Sequence, residues 1–512
     1  MHYPRKSYWH ESANQIKKTL NKSNENINNK RFDILIIGGG LAGLTTAYLL
    51  RDSGYKIGVI EGSTIGYGTT GFTTAKLTVQ HDIRYRYLLD GFGINKTKQY
   101  LKANEEGLNL IREIIKNNNI DCEYKDQTAY VYTTKEEEVG ILKDEFEAYK
   151  RLQINGFYTE NLDLPIKTLG AIGIKDQGQF NPLKYLYNLY NILLDSSVEI
   201  YENIRALNIT PHSEKHMINT DKGDIYANKI IVTTHYPFDN DFGLFFLRLY
   251  QEKSYALAVK THENPFEGMY INVKDPTYSL RYHYTDKGNF LILVGGNHRV
   301  AVKDNEEDSY NELENFLKEN FKNYEIISKW STQDCMTYDK IPYIGNISNN
   351  VENIYVATGF NKWGMTGTAA AALILKNKIL GIKDDYSEIF DPSRITPILS
   401  AAEFFPTGAV IASGFMKRIK PSSTEFPDIE FGEGKIINYN GRKIGFYKDE
   451  GGGFFCINPV CTHLKCAVSF NDAEKTWDCQ CHGSRFDVKG NILEGPAVYP
   501  LEKIKIDFPD SY

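Results

Sequence analysis

The chain has 512 residues, 59 Lys and Arg against 65 Asp and Glu for a net charge of −6, and 41% hydrophobic residues. This length predicts two or more domains, and the mild acidity offers no general attraction to nucleic acid or an anionic membrane, so neither is expected as a partner. Residues 1–30 form a polar, Asn- and Lys-rich extension without the apolar core of a signal peptide, and the expected compartment is the cytoplasm.

After the flexible lead-in Asn21 to Lys30, the run Phe32 to Ile37 has the apolar, β-rich composition of a buried parallel strand. Leu41 to Arg51 is helical in composition and Ile57 to Ile60 is a second buried strand, which together predict a βαβ unit. Helical stretches at Lys98 to Asn117 and Lys135 to Leu152 alternate with strand-like Gln127 to Tyr132 and Asp224 to Thr234, so residues 31–390 read as α/β. His235-Tyr236-Pro237 closes the last of these runs, either as a pocket edge or as a plain turn.

Residues 391–425 hold Pro392, Pro397, Pro406 and Pro421 and read as a linker. Its apolar tract, Ile395 to Met416, is broken by Pro397, Glu403 and Pro406, too short a clean run for the ~20 residues of a membrane span. It is expected to pack as a linker, with an interfacial helix ending at Lys417, Arg418 and Lys420 as the alternative. From residue 426 to 512 short β-like runs with Gly-containing turns predict a small all-β domain.

Two motifs carry chemistry. Gly38-Gly39-Gly40-Leu41-Ala42-Gly43 is a G-x-G-x-x-G between a predicted strand and a predicted helix, the setting of a dinucleotide-binding turn. Gly38 makes the turn, Gly40 admits the pyrophosphate to the backbone, and Gly43 lets helix and strand approach. Glu61, at the end of the second strand, can accept hydrogen bonds from ribose hydroxyls. The turn alone does not separate FAD from NAD.

The second motif is C-x-H at Cys461 and His463, followed by C-x-x-H at Cys479 and His482. Two thiolates and two neutral imidazoles are what a Rieske [2Fe-2S] cluster takes, with Cys461 and Cys479 on one iron and His463 and His482 on the other. A structural zinc site is the competing reading, but zinc fingers pair Cys with Cys and His with His, whereas each loop here carries one of each. Cys122, Cys335 and Cys456 read as core thiols. His212 and His216 in HSEKH fall in a polar, turn-like segment and read as a solvated loop.

Further segments resemble the amine- and amino-acid-oxidising flavoproteins of the D-amino-acid oxidase superfamily, which implies FAD. GTTGFTTAKLT (Gly68 to Thr78) is similar to the stretch that runs past the flavin phosphates in that superfamily, implying contacts from Thr73 and Thr74. VEIYENIRAL (Val198 to Leu207) stands where members touch adenine with backbone groups, here at Ala206. DKIPYIG (Asp339 to Gly345) and NIYVATGFNKWGMTGTAAAALIL (Asn353 to Leu375) complete the resemblance. The latter implies a strand leading through Gly359 and Gly364 into an Ala-rich helix, with Met365 in its first turn, aimed at the flavin pyrimidine ring.

WDCQCHGSRFD (Trp477 to Asp487) resembles Rieske domains. Cys466 and Cys481 stand where the quinol-oxidising members carry a disulfide joining the cluster loops, which implies that bridge here, the alternative in a reducing cytosol being two buried thiols. Ser484 keeps the position of a hydroxyl donated to the cluster, while Phe486 stands where those members have Tyr. The whole chain is similar to bacterial oxidoreductases that fuse a D-amino-acid-oxidase-like flavoprotein to a C-terminal Rieske domain. The fold implied is an α/β FAD-binding fold, Rossmann-like and of the glutathione-reductase type, with an α+β substrate domain inserted at about 236–330.

For substrate contacts the candidates are Arg281, suited to a carboxylate, His298, suited to line the flavin face, and Trp363. The expected activity is oxidation of a small amine or amino acid by hydride transfer to FAD, with electrons leaving singly through the cluster to a carrier protein. A neutral amine loses hydride without an obligatory strong base, consistent with the lack of an evident acid/base pair. The alternatives are a flavin reductase fed by the Rieske domain and an electron-transfer protein without a small-molecule substrate.

Overall fold

A computed structural model describes residues 6–19, 26–262, 264–274, 276–286, 288–300, 305–394 and 429–506. The tract Ile395 to Met416, read as a packed linker or an interfacial helix, lies outside the described residues. Among the described residues no helix is long and apolar enough to cross a membrane.

A short helix, α1 (Tyr8–Ala13), precedes the predicted βαβ unit of β1 (Lys30–Ile37), α2 (Leu41–Leu50) and β2 (Ile57–Ile60). The two strands run parallel, with Ile34 opposite Ile57 and Ile37 opposite Ile60. Both are covered on both faces, the physical reason for their unbroken Ile, Leu and Val. Next come β3 (Lys76–Leu77) and α3 (Tyr85–Asn117), which starts earlier than the predicted Lys98 because it continues across a kink at Gly93, φ 75°. Then follow β4 (Lys125–Thr133), α4 (Val139–Leu152), β5 (Gly156–Thr159), β6 (Gly170–Gln179) and α5 (Pro182–Leu194). Helix α5 starts where its sequence dictates: Pro182 opens it, and the Asn181 side chain accepts from the Lys184 N–H at 3.2 Å.

The chain continues through β7 (Glu199–Tyr201), β8 (Ala206–Thr210), β9 (His216–Thr220) and β10 (Gly223–Val232). Next are β11 (Leu249–Thr261), β12 (Met269–Asn272), β13 (Ser279–Thr285), β14 (Gly288–Arg299), α6 (Glu307–Asn320) and β15 (Tyr324–Thr337). Strands β16 (Tyr343–Ser348) and β17 (Val351–Thr358) then lead into α7 (Gly364–Leu380).

These strands make two sheets. The first has the order β16-β17-β10-β1-β2-β7, with the β8–β9 hairpin paired to β10. The second has nine strands in the order β15-β11-β14-β13-β12-β4-β6-β3, with β5 on β6. It therefore draws on residues from 76 onward as well as on the predicted insertion at 236–330. The chain crosses between the sheets more than once, and local pattern does not reveal such a crossing.

The C-terminal domain is all β: β18 (Gly434–Tyr439), β19 (Arg442–Lys448) and β20 (Phe454–Ile457) form one sheet. Strands β21 (Val468–Asn471), β22 (Thr476–Cys479), β23 (Arg485–Asp487) and β24 (Ile492–Glu494) form the other. It docks on β11 and β15 through a buried charge network. The Lys253 ammonium lies 2.5 Å from Glu306, 2.5 Å from Glu474 and 3.4 Å from Asp478, its side chain fully buried. Arg485, equally buried, pairs with Asp478 at 3.2 Å, with Glu494 at 3.7 Å and with Glu474. Tyr255 and Asn471 add hydrogen bonds to Glu306 at 2.8 and 2.7 Å.

Candidate functional site

A cavity opens at the carboxyl ends of β1, β2 and β10. Its floor is Gly38, Gly40, Leu41 and Ala42 at the start of α2, with Glu61 to Ser63 after β2 and Ile204 to Ala206 at the side. Thr69, Thr70 and Thr73, then Gly364, Met365 and Thr368 of α7, complete that half. The glycines are required by space: Gly38 has φ +112°, and a Cβ on Gly43 would lie 2.0 Å from the Gly38 carbonyl oxygen. Two helices thus present their N-termini to the cavity, where free N–H groups and the helix dipole favour an anion. Glu61 accepts from the Gly39 and Ser63 N–H groups at 2.8 and 2.9 Å, and burial raises its pKa.

Three of the predicted contacts stand just behind this wall. Gly43 packs on Gly38, Gly359 takes φ +73° beside Thr337, and the Thr74 carbonyl accepts from the Arg281 guanidinium at 2.6 Å. That bond is one of four in a row. The carbonyls of Gly71, Phe72, Thr73 and Thr74 accept from Ser7, Trp330, Trp9 and Arg281, at 2.5, 2.9, 2.7 and 2.6 Å. The predicted phosphate loop is thereby fixed by residues from three distant parts of the chain.

The substrate candidates are placed differently from expectation. Arg281 is fully buried behind the loop, with its guanidinium over the Trp9 ring at 5.2 Å and burial lowering its pKa to about 9. Trp363 caps α7, donates to Asp82 at 3.1 Å and stacks on His81. His298 bonds Tyr255 at 3.0 Å and stacks on it, next to the charge network of the domain interface. None of the three is in the cavity wall, because each is held by a neighbour on its far side.

Polar residues not singled out from the sequence fill that wall instead: Gln251, Gln333, Asp334 and Lys362. Lys362 pairs with Glu252 at 2.8 Å, and burial pushes the Asp334 carboxyl up to about 6. His235 and Tyr236 are also in the wall, so the turn after β10 is a pocket edge. Burial lowers the His235 pKa to about 4, leaving it neutral, and its Nε2 and the Gln333 Oε1 are buried without hydrogen-bond partners.

The Cys and His loops come together in the C-terminal domain. Cys461 and Cys479 are buried free thiols, and the His463 and His482 rings lie 4.9 Å apart at 88°. His463 Nε2 bonds the Asn240 side-chain oxygen at 2.9 Å, and His482 Nε2 donates to the Phe246 carbonyl at 3.1 Å. These acceptors place the proton on Nε2 and leave both Nδ1 lone pairs buried and without partners, the state a ligating imidazole needs. Burial lowers the pKa of His463 to about 3 and of His482 to about 4, so both rings are neutral. Cys466 and Cys481 form the disulfide that joins the two loops. Cys122, Cys335 and Cys456 are buried thiols.

The two sites share a wall. Leu493 to Val498, at the end of the C-terminal domain, line the same cavity as the glycine turn. From the other side Tyr236 sets its ring edge-on to both imidazoles, 6.3 Å from each.

Residues 33–377 match the family described as FAD dependent oxidoreductase, DAO, and residues 423–505 match the Rieske [2Fe-2S] domain. The chain belongs to the DAO family of FAD-dependent oxidoreductases. It carries a C-terminal Rieske domain, and its cofactors are FAD and a [2Fe-2S] cluster. Among its relatives is YhfW of Bacillus subtilis (strain 168), named as a Rieske 2Fe-2S iron-sulfur protein, 38% identical over 476 residues that cover 93% of this chain and 94% of that one. The gamma-glutamylputrescine oxidoreductase of Escherichia coli (strain K12) is 23% identical over 390 residues, covering 73% and 89%. Glycine oxidase from Geobacillus kaustophilus shares the fold of the first domain, with a TM-score of 0.59 at 17% identity over 72% of this chain and 100% of that one. L-proline dehydrogenase from P. horikoshii does so with a TM-score of 0.58 at 17% identity, covering 72% and 98%.

The residues fit both groups. Two thiols and two unpartnered Nδ1 atoms are the donor set of a Rieske cluster, and the two helix N-termini and the unpartnered polar atoms of the wall suit a dinucleotide.

Proposed function

We propose that this DAO-family oxidoreductase oxidises a C–N bond of a small amine or amino acid by hydride transfer to FAD, and that the electrons leave singly through the Rieske cluster to a carrier protein. The observation that carries the reading is the shared wall: residues of both domains line one cavity, and a wall residue also faces both cluster histidines. The activities named for the E. coli relative and the two structural neighbours, all on amines or amino acids, supply the substrate class.

When bound, FAD supplies the two-electron acceptor and the cluster a one-electron carrier. The chain's own residues bind and orient. Gly38, Gly40 and the first N–H groups of α2 would hold the pyrophosphate, with Gly43 keeping the helix close. Glu61 would take the ribose, Ala206 the adenine, and Thr73 and Thr74 the phosphate side. Gly359 would shape the approach to α7, whose first residues Gly364 and Met365 line the cavity and would meet the flavin, and a helix N-terminus there would favour negative charge on reduced flavin. Cys461, Cys479, His463 and His482 would hold the cluster. Arg281 and Trp363 act on the cavity from behind, Arg281 through Thr74 and Trp363 through the start of α7, while His298 supports the interface through Tyr255.

The test is anaerobic mixing of the holoprotein with a panel of amines and amino acids. Flavin bleaching by one of them, followed by the EPR signal of the reduced cluster, is the expected result. Bleaching only by a reduced carrier protein would reverse the direction of flow and overturn the proposal.

A further inference from the structure

We propose that Tyr236 is the bridge by which electrons pass between the flavin cavity and the cluster, so that the histidine edge of the cluster serves the protein's own flavin domain. This rests on the reading above, in which electrons leave through the cluster.

Three observations converge. Tyr236 is 2% exposed and belongs to two sites at once, being in the cavity wall while its ring meets His463 and His482 edge-on at 6.3 Å, with interplanar angles of 78° and 70°. No other aromatic residue named in the cavity wall has such a contact with either imidazole.

Second, the outward nitrogens of both histidines are already taken. Asn240 accepts from one and the Phe246 carbonyl from the other, and both acceptors lie in the stretch that follows Tyr236. With the domains docked as they are, both outward nitrogens are held by the flavin domain itself, and His482 is 2% exposed.

Third, docking is tight at this point. A Cβ on Gly483, the residue after His482, would lie 2.5 Å from Gln251 Cγ, and the Gly483 carbonyl accepts from Gln333 at 3.0 Å. Gln251 and Gln333 are themselves wall residues. Electron tunnelling weakens steeply across empty gaps and less steeply through packed atoms, and here the two domains meet in direct contact.

Substrate oxidation leaves two electrons on the flavin. One passes to the oxidised cluster, and the matching proton goes to solvent. The cluster returns to its oxidised state by giving that electron to an external one-electron carrier protein, after which the second electron follows. Each substrate therefore drives two cycles of the cluster.

The test uses the full-length holoprotein. The flavin is reduced by a light flash in the presence of a sacrificial electron donor, and the cluster is followed by its absorbance in wild type, Tyr236→Phe and Tyr236→Leu, with FAD content, cluster EPR spectrum and both potentials recorded for each. The Phe variant keeps the ring and is expected to match wild type. The Leu variant is expected to slow transfer about tenfold or more, from the void left by the ring, with potentials and spectra unchanged. Equal rates in the Leu variant overturn the bridge, and so does a slow Phe variant, since the hydroxyl and not the ring would then carry the effect. If the Leu variant fails to retain both cofactors, Tyr236→Met is measured against the same criteria. A wild type whose cluster stays oxidised after the flash removes the underlying electron-exit reading, a result distinct from transfer that is indifferent to residue 236.

Discussion

Ser484 is completely buried, and its oxygen accepts from the Ala497 N–H at 3.0 Å, which leaves its own proton for the Cys461 sulfur. A donor to a cluster sulfur stabilises the more negative, reduced state. Ser484→Ala should therefore lower the cluster potential. A hydrogen bond of about 1.4 kcal/mol corresponds to about 60 mV for one electron, and protein-film voltammetry reads it. Phe486 is also fully buried and carries no donor, so Phe486→Tyr should add one and raise the potential. Cys461→Ser or His482→Ala should abolish the Rieske EPR signal, and retention of that signal would overturn the ligand assignment. Glu123 gives a prediction in acid. Burial works against its charge, but His283 at 2.9 Å and Lys184 at 2.9 Å hold its pKa down to about 2 from an ordinary 4.5. Between those values the unfolded chain binds more protons, so the stability Glu123 gives is complete above pH 4.5 and is lost as the pH falls toward 2. Glu123→Gln should flatten that part of the acid-unfolding curve and cost about 1–3 kcal/mol at neutral pH.

Helix α1 shows what a six-residue element can do when its side chains are spent on one loop. Trp9 and the capping residue Ser7 just before the helix hold two of the four pinned carbonyls from Gly71 to Thr74, and Trp9 is fully buried among Tyr8, His283 and Trp330. Trp9→Ala should destabilise the protein by about 3–5 kcal/mol and weaken FAD retention, as measured by thermal unfolding and by flavin released on gel filtration. Normal flavin content at normal stability would show the pinning to be inert. The βαβ unit was legible because its information is local: an apolar run, a glycine turn and a helix buried on nearly every side follow one another within 31 residues, Lys30 to Ile60. The Cys and His loops were legible for the same reason. Helix α1 and strands β6, β11 and β15 were not, since their burial comes from partners far away in the chain. Arg281 illustrates the limit: a buried arginine beside aromatics has the composition of a substrate anchor, and only the fold shows that its guanidinium faces the back of a loop.

The molecule as a whole is held together at its domain junction by charge as well as by apolar contact. Lys253 and Asp478 are separated by 225 positions, so no sequence pattern links them, yet with Arg485 they bury two cations among four carboxylates. Removing one partner of such a set leaves buried charge uncompensated, which typically costs about 3–5 kcal/mol. Lys253→Met should therefore undock the Rieske domain, and since that domain supplies Leu493 to Val498 to the cavity wall, FAD should dissociate faster even though residue 253 is not in the wall. Fluorescence of released flavin checks this; unchanged release with a loosened junction would show that the last segment of the wall is dispensable. The position of that segment in the chain also sets a timetable. The glycine turn, α2 and α7 are all complete by Leu380, whereas Leu493 is synthesised more than a hundred residues later. At ribosomal rates of about 5–20 residues per second the nascent flavin domain waits on the order of ten seconds with one side of its cavity unroofed. Flavin can load during that interval, and arrival of the C-terminal domain then encloses it.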